Sequence, residues 1–497
     1  MHLLMAGVTL GLVLVIVGPT LLDLADLLDV SIRNMTFIVF GGDFGAFVGS
    51  ALALVIFKYF SAQRVIISFM LLIGVSNILI PLGGSPAATA ALTFCSGCGV
   101  GIVEIGAYVW IVGMWASNVA PIIQLLHLTY GIGAFMSPLI AEPYLTHHEA
   151  DSDETDSNSS APLGHHLAYG LNVSEVFNNL FNGSNLPLDG INLLPEAGAN
   201  DSGIVTPSPL NSQVHIPYAL VGSFALFNGA LMILSYFIDP RDVKPEQPAN
   251  EDEATLPTSP RYQWTLVTLI GIYTLVSVVL EVAVGKFLPT YVVQHYALSR
   301  STGAYIVSLF YVGFTLARVV AVPLSLRLSP MQMMNTFQLG LVASAALLTF
   351  VPDERVLWPC AFTLGACLSP LFGSATAWLS GHVALSHDFM SIIMTMVTFG
   401  ALAPALFVGS YIESHPHVLM WAVLGAATAM LAACWAMHAT ASIHTRVYRR
   451  CPMVSAHGED NSNENNDDDD DGDADDSNNN NHFHALHADV RQSNGGP

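Results

Sequence analysis

Charge is scarce in this chain. Only 11% of its 497 residues are Asp, Glu, Lys or Arg, less than half of the roughly 25% usual in soluble domains, so a protein surrounded mainly by water is excluded. Cysteine is absent from the longest polar segment, 146–214, and Cys95, Cys98, Cys360, Cys367 and Cys434 all lie in apolar runs. That placement excludes a disulfide framework. Cys95-x2-Cys98 has no second pair and no His-x3-His partner, so the two are read as packing residues rather than half of a zinc site. A basic start followed by a small-residue cleavage site is missing, and the first apolar run is therefore expected to be retained. Also missing are a nucleophile with its base, a complete metal site and a phosphate loop. Gly97, Gly99 and Gly101 lie in an apolar run with no strand before them. No enzyme activity, cofactor or metal is expected.

What the chain has instead is apolar length. Hydrophobic residues make up 52% of it, gathered into runs at about 3–22, 36–57, 65–83, 87–115, 119–145, 215–238, 263–289, 302–325, 331–351, 356–379, 389–411 and 418–440. At 1.5 Å per residue most of these can cross a bilayer core of about 30 Å. The expected fold class is all-α, with twelve transmembrane helices in two six-helix bundles, 1–238 and 263–440. The formal charge of −23 comes from three polar segments, 146–214, 239–262 and 451–497. The membrane part is neutral overall, so the charge indicates no nucleic-acid partner.

Those segments fix an expected topology. Loop 146–214 carries the glycosylation sequons Asn158-Ser-Ser, Asn172-Val-Ser, Asn182-Gly-Ser and Asn200-Asp-Ser, which place it outside the cell. Lys58, Arg64, Arg241, Lys244, Arg261, Arg327, Arg446, Arg449, Arg450 and Arg491 fall on one side of the twelve-span arrangement, and only Arg33, Arg300 and Arg355 on the other. The positive-inside rule then puts both termini in the cytoplasm. Segment 239–262 becomes a cytoplasmic linker, and 441–497 an acidic tail too poor in apolar residues to fold. Glycosidase treatment is expected to increase the gel mobility of the protein. Protease access to the 146–214 loop only from the cytoplasmic side would show the topology to be inverted.

Several membrane runs carry groups that hydrocarbon disfavours. Asp43 lies in the run with Gly41-x3-Gly45-x3-Gly49, a ridge of small residues for close helix packing. Glu104, Tyr108 and Trp110 share the fourth run, with no Lys or Arg within two turns of the acid. The bland reading of Glu104 is a protonated acid bonded to a neighbouring helix; the functional one is a ligand for a cation or a hydroxyl. Gln124 and His127 lie three apart in the fifth run, followed by Gly131, Gly133 and Pro138. The seventh reads Glu281-Val-Ala-Val-Gly285-Lys286-Phe-Leu-Pro289-Thr-Tyr291. Five residues put Glu281 and Lys286 about 140° apart around the helix, so they do not pair directly and each needs a polar surrounding.

The spacing His127-x3-Gly131-x-Gly133-Ala134-x3-Pro138, the run Ser137-Pro138-Leu139-Ile140-Ala141-Glu142-Pro143 and the first-span ending Gly18-Pro19-Thr20-Leu21-Leu22-Asp23-Leu24 resemble the sodium-dependent glucose transporter-like branch of the major facilitator superfamily, relatives of the fucose permeases. The seventh run is similar to the helix that lines the substrate path in sugar facilitators. Arg318 and the run Pro323-Leu324-Ser325-Leu326-Arg327-Leu328-Ser329-Pro330 partly resemble the superfamily's cytoplasmic gating motif, with Ser325 where an acid is usual.

The resemblance implies a secondary transporter of a hexose such as glucose, coupled to sodium and working by alternating access in the plasma membrane, as a monomer. It implies substrate contacts at Glu104, Tyr108, Gln124, His127, Glu281, Lys286 and Trp378, ion coupling at Glu104 and Glu281, and gating at Arg318 and Arg327. The residues themselves show a polar midplane bearing carboxylates, which also suits proton coupling to another small polar solute. A nontransporting receptor or scaffold on the same fold is the reading from another class; the costly intramembrane charges weigh against it.

Overall fold

The computed structural model describes residues 2–114, 119–146, 213–238, 260–351, 353–383 and 387–450. The four sequons, the linker up to 259 and the tail from 451 lie outside them. The described residues are helical almost throughout: α1 His2–Val15, α2 Val17–Leu27, α3 Ile32–Tyr59, α4 Ala62–Leu79, α5 Pro86–Met114, α6 Val119–Ala141, α7 His215–Ile238, α8 Pro260–Tyr296, α9 Arg300–Ser325, α10 Pro330–Phe350, α11 Glu354–Ser380, α12 His387–Gly400, α13 Ala403–Phe407 and α14 Val418–Arg450. Ten of the candidate spans are long and apolar enough to cross a membrane, and α1 with α2 makes an eleventh, bent by 45°. Where the remaining span was expected, the apolar stretch Ile392–Phe407 is shorter than these.

Short polar residues at the loop ends start several of these helices. Ser31, Ser299 and Asp353 each accept a backbone N–H of the first turn of α3, α9 and α11. Ser329 and Gln332 form a reciprocal capping box that opens α10, with Pro330 at its first position. The Ser-Pro pair that resembles the end of a gating motif thus starts a helix.

Glycine sets the distances between the helices. A Cβ on Gly97 would sit 1.9 Å from the carbonyl oxygen of Gly42, and one on Gly49 would sit 2.2 Å from that of Cys98, so the backbones of α3 and α5 touch. The expected small-residue ridge is therefore a helix contact. The second half repeats the arrangement, with Gly313 against Phe362 and Gly365 against Phe310 joining α9 to α11. Elsewhere α1 packs on α6, α4 on α5 and α7, α10 on α11, and α8 on α12. Residues 1–443 form one unit, in which the halves meet where α6 packs on α9, α2 on α8, and α3 on α12 and α13.

Four elements differ from the sequence expectation. The first span, expected over 3–22, bends at Ile16 and reaches Leu27. The last, expected to end at 440 with an unfolded tail from 441, continues as α14 to Arg450, because no Pro or Gly interrupts the chain between 440 and Pro452. The seventh span, expected at 263–289, continues through Pro289 to Tyr296. Proline cannot donate to the carbonyl four residues back, which belongs to Gly285. That carbonyl faces Gly18, where a Cβ would lie 2.2 Å away, so the bend between α1 and α2 presses a bare backbone against the disturbed turn. The eleventh span, expected to be continuous over 389–411, stops at Gly400 and resumes at Ala403. Gly400 lies against the Leu275 carbonyl, and Pro404 removes the N–H that would have bonded back to residue 400.

Candidate functional site

Helices from both halves enclose a cavity of about 180 Å³, smaller than the roughly 300–1,000 Å³ of sites for drug-sized ligands and suited to a small solute. Its polar wall is divided between the halves. Glu104 and Tyr108 come from α5, and His127 and Tyr130 from α6. Ser277, Glu281 and Lys286 come from α8, Tyr311 and Arg318 from α9, and Ser369 from α11. Three- and four-residue steps bring Glu104 with Tyr108, His127 with Tyr130, and Ser277 with Glu281 to one face of their helices, whereas Lys286, five residues past Glu281, reaches the cavity from another side of α8.

Within each half the groups hold one another. Tyr108 Oη and His127 Nε2 are 3.0 Å apart, and the imidazole meets the ring of Tyr108 and, from the other half, that of Phe372, with centroids 5.9 and 5.8 Å away. Arg318 donates through Nε to Ser369 Oγ at 3.1 Å and through Nη2 to the Ser369 carbonyl at 3.2 Å. Its guanidinium lies 5.1 Å from the centroid of Phe314, an arrangement that favours a cation over a ring face. Both uses leave part of its fork available to the cavity.

Across the halves Tyr130 donates to Glu281 Oε1 at 3.2 Å, and Lys286 donates to Asp43 Oδ1 in a buried ion pair. Glu104 makes no hydrogen bond among the described residues, although Glu281 and Tyr108 are within electrostatic range of it. With the Asp43 and Lys286 charges cancelling, Glu104, Glu281 and Arg318 in their charged forms leave the cavity one negative charge in excess. A cation, or a solute rich in donors, satisfies such a surface.

Of the residues expected at the substrate, Glu104, Tyr108, His127, Glu281 and Lys286 line this cavity, and Gln124 and Trp378 do not. Gln124 packs toward α11, its amide nitrogen 2.9 Å from where a Cβ on Gly373 would sit. Trp378 is nine residues beyond Ser369, about two and a half turns, which puts it on the opposite face of the same helix. It is buried against His382, with ring centroids 4.3 Å apart. Arg318, expected at a gate, stands in the cavity wall, whereas Arg327 lies exposed at the end of α9. Tyr130, Tyr311 and Ser369 were missed. The position of Tyr130, three residues after His127, was the available signal for it. Asp43 had the same signal as Glu104, an acid in an apolar run, without a partner visible in the sequence.

The polar ties between halves that bracket this cavity lie toward the end expected to face outside. Arg300 at the start of α9 pairs with Asp23 at 3.2 Å and with Asp26 at 2.5 Å. Within the first half, Thr146 donates to the same Asp23 carboxylate. The Arg33 N–H donates to Glu413 at 3.2 Å, and Thr36 donates to the Gly409 carbonyl at 3.1 Å.

No family model matches the chain. It is 24% identical over 429 residues to sodium-dependent glucose transporter 1A of Mus musculus, an alignment covering 84% of this chain and 91% of that protein. Among solved structures, the xylose transporter XylE of E. coli aligns with a TM-score of 0.59 at 10% identity, over 87% of this chain and 95% of the other. The E. coli fucose:proton symporter FucP aligns with a TM-score of 0.53 at 14% identity, over 88% and 98%. The chain has the twelve-helix major facilitator fold, and its relatives by sequence include proteins named for sodium-dependent glucose transport.

Proposed function

We propose that the chain is a secondary transporter that carries a hexose such as glucose across the plasma membrane by alternating access, coupled to sodium. The observation that carries the reading is a small cavity, shared between two halves, whose wall combines carboxylates, a guanidinium, phenols and an imidazole. Carboxylates accept hydrogen bonds from ring hydroxyls and Arg318 donates to them, while Phe314 and Phe372 offer apolar faces to the ring. The solute at the midplane touches both halves, so rocking of one half against the other exposes it to each side in turn. The name of the mouse relative supports glucose and sodium. Both termini are cytoplasmic in this reading, and Arg300 with Asp23 and Asp26 closes the outer end.

The test is uptake into vesicles across a panel of hexoses, organic acids and nucleosides, each with a sodium gradient, a proton gradient or neither. Hexose uptake stimulated by sodium is expected. Uptake of another solute, or dependence on pH alone, would overturn the reading.

Two substitutions separate the roles in the cavity. Glu104→Gln keeps the shape and removes the unbalanced charge, so it is expected to abolish sodium stimulation while leaving measurable sugar binding. His127→Ala removes one neutral hydrogen-bonding group and is expected to raise KM about 3- to 10-fold with sodium dependence intact, the size of one hydrogen bond. Initial-rate uptake at varied sugar and sodium concentrations checks both.

A further inference from the structure

Asp43 and Lys286 are both more than nine-tenths buried, and they belong to different halves, α3 and α8. Lys286 meets only Oδ1 of Asp43; Oδ2 is buried and has no hydrogen-bond partner. Both residues line two spaces, the central cavity and a smaller pocket of about 50 Å³ that is also lined by Asn77, Thr93, Ser96 and Tyr218. Asn77 donates its amide N–H to Ser96 Oγ at 2.8 Å, and Thr93 donates to the carbonyls of Ile38 and Ala90. The hydroxyl oxygens of Thr93 and Ser96 retain lone pairs. A water needs about 10–15 Å³ of such space, so this pocket admits an ion with a few of its waters and excludes a sugar.

Rocking the halves apart at the outer end must stretch or break this pair, because its two members are carried by different halves. An Asp43 carboxylate left buried without an opposite charge is strongly disfavoured. Another cation has to replace the ammonium as it leaves. Oxygen donors of this kind suit a hard cation.

We propose that Asp43 is a binding site for a hard monovalent cation, which Lys286 occupies as a tethered competitor while the outer end is closed and which a free sodium ion takes when the halves part. The site is separate from Glu104 and supplies a reason why opening toward the outside requires the ion: sodium replaces the lysine charge that opening withdraws. Closure returns Lys286 to Asp43 and displaces the ion toward the cavity, where Glu104 is the carboxylate without a hydrogen bond. The role in transport rests on the function proposed above, but the binding competition does not.

The test is equilibrium binding of radioactive sodium to the purified full-length protein, without sugar. Lys286→Gln removes the competitor and is expected to raise sodium affinity at least 10-fold. Adding Asp43→Asn should erase that gain, whereas adding Glu104→Gln should leave it. No gain in Lys286→Gln, a gain that survives Asp43→Asn, or a gain erased by Glu104→Gln would each overturn the proposal. Should Lys286→Gln alone fail to fold, the neutral double variant Asp43→Asn/Lys286→Gln decides in proteoliposomes. Its sodium stimulation of uptake, measured as the ratio of its own rates with and without sodium, is expected to be lost, and a retained ratio overturns the proposal. Absence of hexose counterflow in the wild type would instead count against the transport reading and leave the binding result standing.

Discussion

Replacing Arg318 by glutamine is expected to reduce hexose uptake by about 10- to 100-fold at equal amounts of folded protein. Arg318 is buried in the cavity wall and supplies the positive charge that faces Glu281. In the proposed mechanism a charged hydrogen bond from Arg318 to the solute contributes about 1.5–3 kcal/mol, and about 1.4 kcal/mol is a factor of ten. Arg318→Lys restores the charge but not the planar fork that reaches both the Ser369 hydroxyl and its carbonyl, so it should recover only part of the activity. Initial-rate uptake in proteoliposomes, with folded protein counted by size-exclusion chromatography, measures both variants. Full activity in Arg318→Gln would remove the guanidinium from the proposed mechanism.

The second large effect is on stability. Gly97→Leu is expected to yield no folded protein, and Gly97→Ala to lower the denaturation temperature, because a Cβ there would meet the Gly42 carbonyl oxygen at 1.9 Å. Backbone cannot rotate aside as a side chain can, so α3 and α5 would have to separate along their shared length. Overpacking of this kind costs about 1–3 kcal/mol or more. Gly425→Ala on α14 is the control. A Cβ there has nothing within 4 Å, and alanine in a helix is favoured over glycine by up to about 1 kcal/mol. Thermal denaturation in detergent, followed by circular dichroism, should move in opposite directions for the two alanine variants.

The sequence by itself determined the helices and the inventory of costly groups. Runs such as 215–238 match α7 end to end because an apolar stretch bounded by polar loops has only helix with which to satisfy its backbone in lipid. The glycines of α3 and the acids Asp43, Glu104 and Glu281 stood out for the same reason, since hydrocarbon selects against both charge and missing side chains. Even the separation of Glu281 from Lys286 followed from helical angle alone. What only the tertiary structure decided is which partner each group has. Lys286 meets Asp43 243 positions away in the chain, and Glu281 meets Tyr130 151 positions away, through helices whose facing sides no local period encodes. The same lack of long-range information put Trp378 and Gln124 at the sugar, because residue type is visible in a sequence and the direction in which a helix face looks is not. Helix identity is set by each segment's own contact with lipid, whereas the cavity exists only where eight helices from two halves have already packed.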